Sequence, residues 1–100
     1  MRWEFDSAAI EFRSLQEYTN KDGKVTITII VEDDQANQNR IRCNDSSRFT
    51  ELGKLQKGER YSFPIVVRDG NWDGKTFISC ELAKRPIQHY VEDLEEFVIV

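Results

Sequence analysis

Two short segments of the chain set an aromatic ring among cations. The stretch "RDGNWDGK", residues 68–75, carries Arg68, Trp72 and Lys75, and "YTNKDGK", residues 18–24, carries Tyr18, Lys21 and Lys24. A ring can stack on a flat ligand and a cation can meet a phosphate, so these segments offer binding chemistry. Reaction chemistry has little material. His89 is the sole histidine, and Cys43 and Cys80 fall at positions expected to face a core, where thiols are commonly inert. The carboxylates of "EDDQ", "RDG" and "WDG" come without a nucleophile and its base, a phosphate-cradling glycine loop or zinc-type spacing. Asp33, Asp34 and Asp45 are expected to be solvated loop carboxylates. The expectation is a protein that is not an enzyme and uses no cofactor or metal.

One hundred residues suffice for one small core. With 39% hydrophobic and 32% charged residues the composition is that of an ordinary globular chain, and no apolar run approaches the roughly 18 residues of a membrane span. The start, "MRWEFDSAAIEF", has acidic residues and no apolar block, unlike a secretory leader. A soluble, cytoplasmic protein without a membrane partner is therefore expected. The formal charge of −4 is unevenly spread: residues 1–88 hold 14 acidic and 14 basic side chains, and Glu92, Asp93, Glu95 and Glu96 supply the whole excess. The division expected is a neutral body, 1–88, and an acidic, apolar-ended tail, 89–100.

Period-2 alternation organises the body. In "KVTITIIVE" Val25, Ile27, Ile29 and Val31 fall on one face while Lys24, Thr26, Thr28 and Glu32 fall on the other. "NRIRCN" repeats this with Ile41 and Cys43 inward and Arg40 and Arg42 outward, and "RYSFPIVVR" with Tyr61, Phe63, Ile65 and Val67 inward. "KTFISCEL" puts Thr76, Ile78, Cys80 and Leu82 inward and Phe77 outward. "AAIEFRSLQEY" reads as a strand whose register shifts between Phe12 and Leu15, as at a bulge. One short helix is expected after "CNDSS", from the spacing of Phe49, Leu52 and Leu55, with a cap at Asp45, Ser46 or Ser47 and a stop at Gly58.

Strand, strand, strand, helix, strand, strand is the order of a five-stranded all-β OB-fold, a small Greek-key barrel with its helix between strands three and four. The segment "LGKLQKGERYSFPIVVRDGNWDGKTFISCEL" resembles the bacterial and phage single-stranded DNA-binding proteins, with a lysine-glycine turn before the fourth strand and "W-x-G-K-T" before the fifth. The resemblance implies an OB-fold domain over 1–88 that binds single-stranded DNA or RNA in a sequence-tolerant way, by stacking and backbone contacts, across its second and third strands. The loops "YTNKDGK" and "RDGNWDGK" would flank that surface. The residues implied are Tyr18, Lys21, Lys24, Thr26, Thr28, Arg40, Arg42, Arg68, Trp72, Lys75 and Phe77. It also implies a role in replication or recombination of phage, plasmid or mobile DNA.

Each feature has a structural alternative. Trp72 can fold over the barrel rim, Phe77 can sit under the tail, and Arg40 and Arg42 can be a solvated face paired with Glu32, Asp33 or Asp34. Lys54, Lys57 and Arg60 suit the negative end of the helix. In "RPIQHYVEDLEEFVIV" Tyr90, Leu94 and Phe97 have helical spacing, while "EFVIV" also suits an extra strand. Glu92, Asp93, Glu95, Glu96 and Phe97 are similar to the acidic, apolar-ended tips by which bacterial single-stranded DNA-binding proteins recruit replication partners. A tail packed on the barrel or on a second copy of the chain competes with that reading. The alternative function is an OB-fold protein-interaction or assembly module.

Overall fold

Alternating apolar and polar residues lay the chain out as a single curled sheet, described over residues 2–100 in a computed structural model that leaves out the side chain of Trp72. Nine strands form, where five were expected: β1 (Arg2–Asp6), β2 (Ile10–Thr19), β3 (Val25–Glu32), β4 (Gln38–Cys43), β5 (Arg60–Ser62), β6 (Pro64–Trp72), β7 (Lys75–Leu82), β8 (Gln88–Val91) and β9 (Glu96–Ile99). Their order across the sheet is β1-β6-β7-β4-β3-β2-β5-β8-β9.

Interrupted strands explain most of the difference in count. Ser7 donates its N–H to the Phe63 carbonyl (2.9 Å), its Oγ accepts from Phe63 N–H (2.9 Å), and Ser62 Oγ donates to the Ser7 carbonyl (2.6 Å). These bonds clasp the two points where β1 gives way to β2 and β5 to β6. On either side of the clasp the two chain segments run antiparallel, pairing Asp6 with Pro64 and Ile10 with Tyr61. Along the other side of β5 and β6, β7 and β8 follow one another in the same way, pairing Leu82 with Ile65 and Tyr90 with Arg60. β2 pairs with β3, β3 with β4, β4 with β7 and β7 with β6, and β6 continues β5, which returns to β2. The sheet curls round on itself along this path. Its weakest join is between β4 and β7, a parallel contact with one register pair, Arg42 opposite Glu81.

The inner face of the curl is the core. Phe12, Ile29, Val31, Ile41, Cys43, Tyr61, Phe63, Ile65 and Ile87 are buried there, at roughly 1.5–3 kcal/mol for each large apolar side chain. The expected bulge is present, with the register shifting between Phe12 and Ser14, which leaves Arg13 as the extra residue. Between β4 and β5 a 3-10 turn, Ser46–Arg48, leads into the one-turn helix α1 (Phe49–Leu52). Asp45 caps it by accepting from Ser47 N–H (3.0 Å), and Leu52 plugs the core. The helix stops at Gly53, earlier than expected. Gly58, at φ +90°, instead turns the chain into β5 and donates its N–H to the Phe12 carbonyl (2.9 Å). Arg48 fixes the helix to the chain after β7, donating to the carbonyls of Ala83 and Arg85 (2.6 Å each) while pairing with Glu51.

One inward assignment and one loop assignment also change. Ile78 is 75% exposed, because the β6–β7 hairpin runs past the rim of the curl and none of the other described residues covers it. Residues 68–75 are also no loop: β6 reaches Trp72, β7 begins at Lys75, and Asp73 and Gly74, at φ +52° and +77°, make a two-residue turn.

Candidate nucleic-acid interface

Residues opposite one another in neighbouring strands share a face, so the registers define the outer surface of the curl. One row crosses six strands: Gln16, Thr28, Arg42, Glu81, Val66 and Glu4. Tyr18 lies opposite Thr26 on the same face, and Arg40 opposite Ile30. Arg68 lies opposite both Ser79 and Arg2, and Phe77 opposite Gly70. The structure thus brings Tyr18, Thr26, Thr28, Arg40, Arg42, Arg68 and Phe77 onto one surface. Lys75 begins β7 two residues before Phe77, so alternation gives it that face too. Trp72 is in register with Lys75 at the hairpin tip; its side chain lies outside the described residues, so the expectation placed on its ring does too.

The flanking turn is well built. Asn20 Oδ1 accepts from the N–H groups of Asp22 and Lys24 (2.9 Å each), and Gly23 takes φ +82°, which holds Lys21 and Lys24 at the end of the β2–β3 hairpin. Tyr18 beside it is 68% exposed. Thr26 spends its hydroxyl on Asn44 Oδ1 (2.8 Å), so it braces β3 against the chain after β4. The end of the Phe77 ring lies against Gly70: a Cβ built on that glycine would meet Phe77 Cζ at 2.4 Å. The residue remains 50% exposed.

The arginines divide sharply. Arg2 pairs with Glu4, Arg13 with Glu11 and Glu32, Arg48 with Glu51, Arg60 with Asp34, and Arg85 with Glu4 and Asp6. Among the described residues, Arg40, Arg42 and Arg68 have no carboxylate within ion-pair distance. Glu32 and Asp34 are engaged by Arg13 and Arg60, so the paired-face alternative for Arg40 and Arg42 is not what forms. Asp33 is also committed: its Oδ1 accepts from Gln35 and Asn37 N–H (2.9 Å each), which holds its carboxyl below the usual range. Arg60, expected near the helix end, is part of β5 and reaches Asp34 at 2.9 Å.

Burial pushes the thiols of Cys43 and Cys80 up, away from nucleophilic use. Among the described residues no group of three or more His, Cys, Asp or Glu is placed to hold a metal ion, and no helix is long and apolar enough to cross a membrane. The tail lies elsewhere. β8 pairs with β5 and β9 with β8, so Glu92, Asp93, Glu95 and Glu96 sit at a hairpin turn and the start of the sheet's last strand, while Phe97 packs on Tyr90 with ring centroids 5.2 Å apart. The extra-strand alternative describes it, and the helical spacing does not.

Sequence reasoning missed Arg2, Glu4, Gln16, Ser79 and Glu81 as neighbours on this face. The alternation of "RWEFD" carried the signal for β1; Glu81 became a neighbour only through the β4–β7 join, which no local pattern encodes.

No family model matches the chain, and no curated protein matches it in sequence. The architecture is that of an OB-fold, a curled sheet with one short helix between β4 and β5. Among solved structures it is similar to the mitochondrial single-stranded DNA-binding protein Rim1 of S. cerevisiae, with a TM-score of 0.65 at 13% identity, over 82% of this chain and 90% of that one.

Proposed function

We propose that the protein is a non-catalytic, cytoplasmic binder of single-stranded nucleic acid that holds the strand by stacking and backbone contacts, in replication or recombination of phage, plasmid or mobile DNA. The observation that carries this reading is the partition of the arginines: the three that have no carboxylate partner among the described residues share one face with two exposed rings, Tyr18 and Phe77. A cation without a carboxylate beside it is free for phosphate, and an exposed ring is open to stack on a base. The likeness to Rim1 supports the same reading through the fold.

Titration of the native tryptophan fluorescence with a single-stranded oligonucleotide at two salt concentrations tests it. Binding should weaken as salt rises, and Arg40→Ala with Arg42→Ala should flatten the dependence of log K on log salt by about 1.4, the share of two phosphates on a single strand. Salt-independent binding, or no binding, would remove the proposal. A second reading, an assembly module, is favoured by β9, an edge strand with Phe97, Val98 and Ile99 exposed. Sedimentation of the whole chain against one lacking residues 90–100 separates the two: an assembly role predicts loss of the larger species with strand binding retained.

A further inference from the structure

Where β4 meets β7 at a single register pair, the sheet leaves a cleft of about 240 Å³ on its outer surface, lined by residues that include Arg42, Asn44, Arg68, Glu81 and Lys84. Glu81 shares the cleft with these cations and with the carboxylates of Glu4 and Asp45 and is half-buried, yet its own carboxylate makes no hydrogen bond and no ion pair among the described residues, not even with Arg42 directly opposite. A carboxylate in this position repels phosphate, and desolvating it without a partner is costly. A tract that served only the backbone would be better without it.

We infer that Glu81 receives the donor edge of an unstacked base, and that the base whose edge fits best is guanine. This inference rests on the proposed single-strand binding. A carboxylate only accepts, through two oxygens. Guanine presents N1–H and the N2 amino group side by side, a matched pair of donors, while thymine presents one N–H between two carbonyl oxygens that a carboxylate repels. On guanine's other side O6 and N7 accept, and arginine is the side chain that meets them with two parallel bonds. Arg42, in register opposite Glu81, turns to this edge where a guanine is seated and otherwise serves phosphate. Glu81 and Arg42 together form a donor-acceptor set complementary to guanine and mismatched to thymine, within a face whose stacking and phosphate contacts are indifferent to sequence.

The test is a set of short thymidine oligonucleotides, one plain, one with two separated guanines and one with inosines in their place, titrated against the wild-type chain and Glu81→Gln. Wild type should bind the guanine oligonucleotide at least about fivefold more tightly than the plain one, with inosine, which lacks the amino group, in between. Glu81→Gln should erase most of that ratio while binding the plain oligonucleotide as well as wild type or better, since a negative charge has left the phosphate path. Retained binding of the plain oligonucleotide also shows that the variant folds. A guanine ratio near one in wild type, or an unchanged ratio in Glu81→Gln, overturns the inference and leaves the binding proposal intact; failure of wild type to bind any of the three overturns both.

Discussion

Gly70 and Phe77 depend on each other: the ring fills the space that a Cβ at residue 70 would need, with Phe77 Cζ 2.4 Å from that position. Phe77→Ala should cost on the order of 1–3 kcal/mol of oligonucleotide binding if the ring stacks on a base. Gly70→Ala should weaken binding in the same direction by dislodging the ring, and equal affinities for both variants and wild type would detach this pair from the site. The outward placement of Phe77 was legible from alternation alone. Its support was not, because Gly70 looked like a loop glycine until the strand was seen to run through it. Asp33 gives a second test at this scale. Its carboxyl is held below the usual range first by the Asn37 N–H, so its contribution to stability is present above the unfolded value of about 3.9 and fades as pH falls through the lower folded value. Asp33→Ala should therefore melt at a lower temperature than wild type at neutral pH, with the gap closing in strong acid; a gap that is constant with pH would assign the loss to the turn backbone.

At the scale of elements, the periodic segments were readable and the joints were not. "KVTITIIVE" announces β3 because each of its apolar residues has somewhere to go, and Ile29 and Val31 end fully enclosed. The segment "RDGNWDGK" misled because glycine and aspartate signal turns, yet cross-strand pairing carries β6 and β7 to within two residues of each other. The tail was ambiguous for a physical reason: Tyr90, Leu94 and Phe97 satisfy a helical stripe, and only the open edge of β5 decides for strands. β8 takes that edge, the His89 ring stacks on Tyr61 at 4.8 Å, and Val100 N–H returns to the Ile87 carbonyl at 3.0 Å. Deleting residues 90–100 should therefore lower the melting temperature measurably, since it removes β9, the Tyr90 pairing with Arg60 and the Val100 bond to Ile87 that hold the rest of β8 against β5. Unchanged melting would show that the hairpin is an appendage carrying no stability.

Across the whole molecule, the charges are sorted by place. Carboxylates neutralise the arginines that brace the frame, the acidic hairpin turn stands on the far side of β5, and guanidinium groups without an ion pair among the described residues remain on the outer face of β4 and β6. A net charge of −4 therefore says little about which ligands the molecule accepts. The order of elements along the chain was enough to suggest this arrangement, whereas the closure of the curl rests on residues 42 and 81, far apart in sequence, and was invisible to any window. That closure has a kinetic side. The β2–β3–β4 meander and the β6–β7 hairpin are built from neighbours in the chain and should assemble early, leaving the Arg42–Glu81 junction to form late, when most of the loop entropy has already been lost. Contacts made after the transition state govern how fast a protein comes apart and barely affect how fast it forms. A strand lying across that junction should act as a late-stage latch, prolonging the lifetime of the native state in denaturant while leaving the refolding rate nearly unchanged.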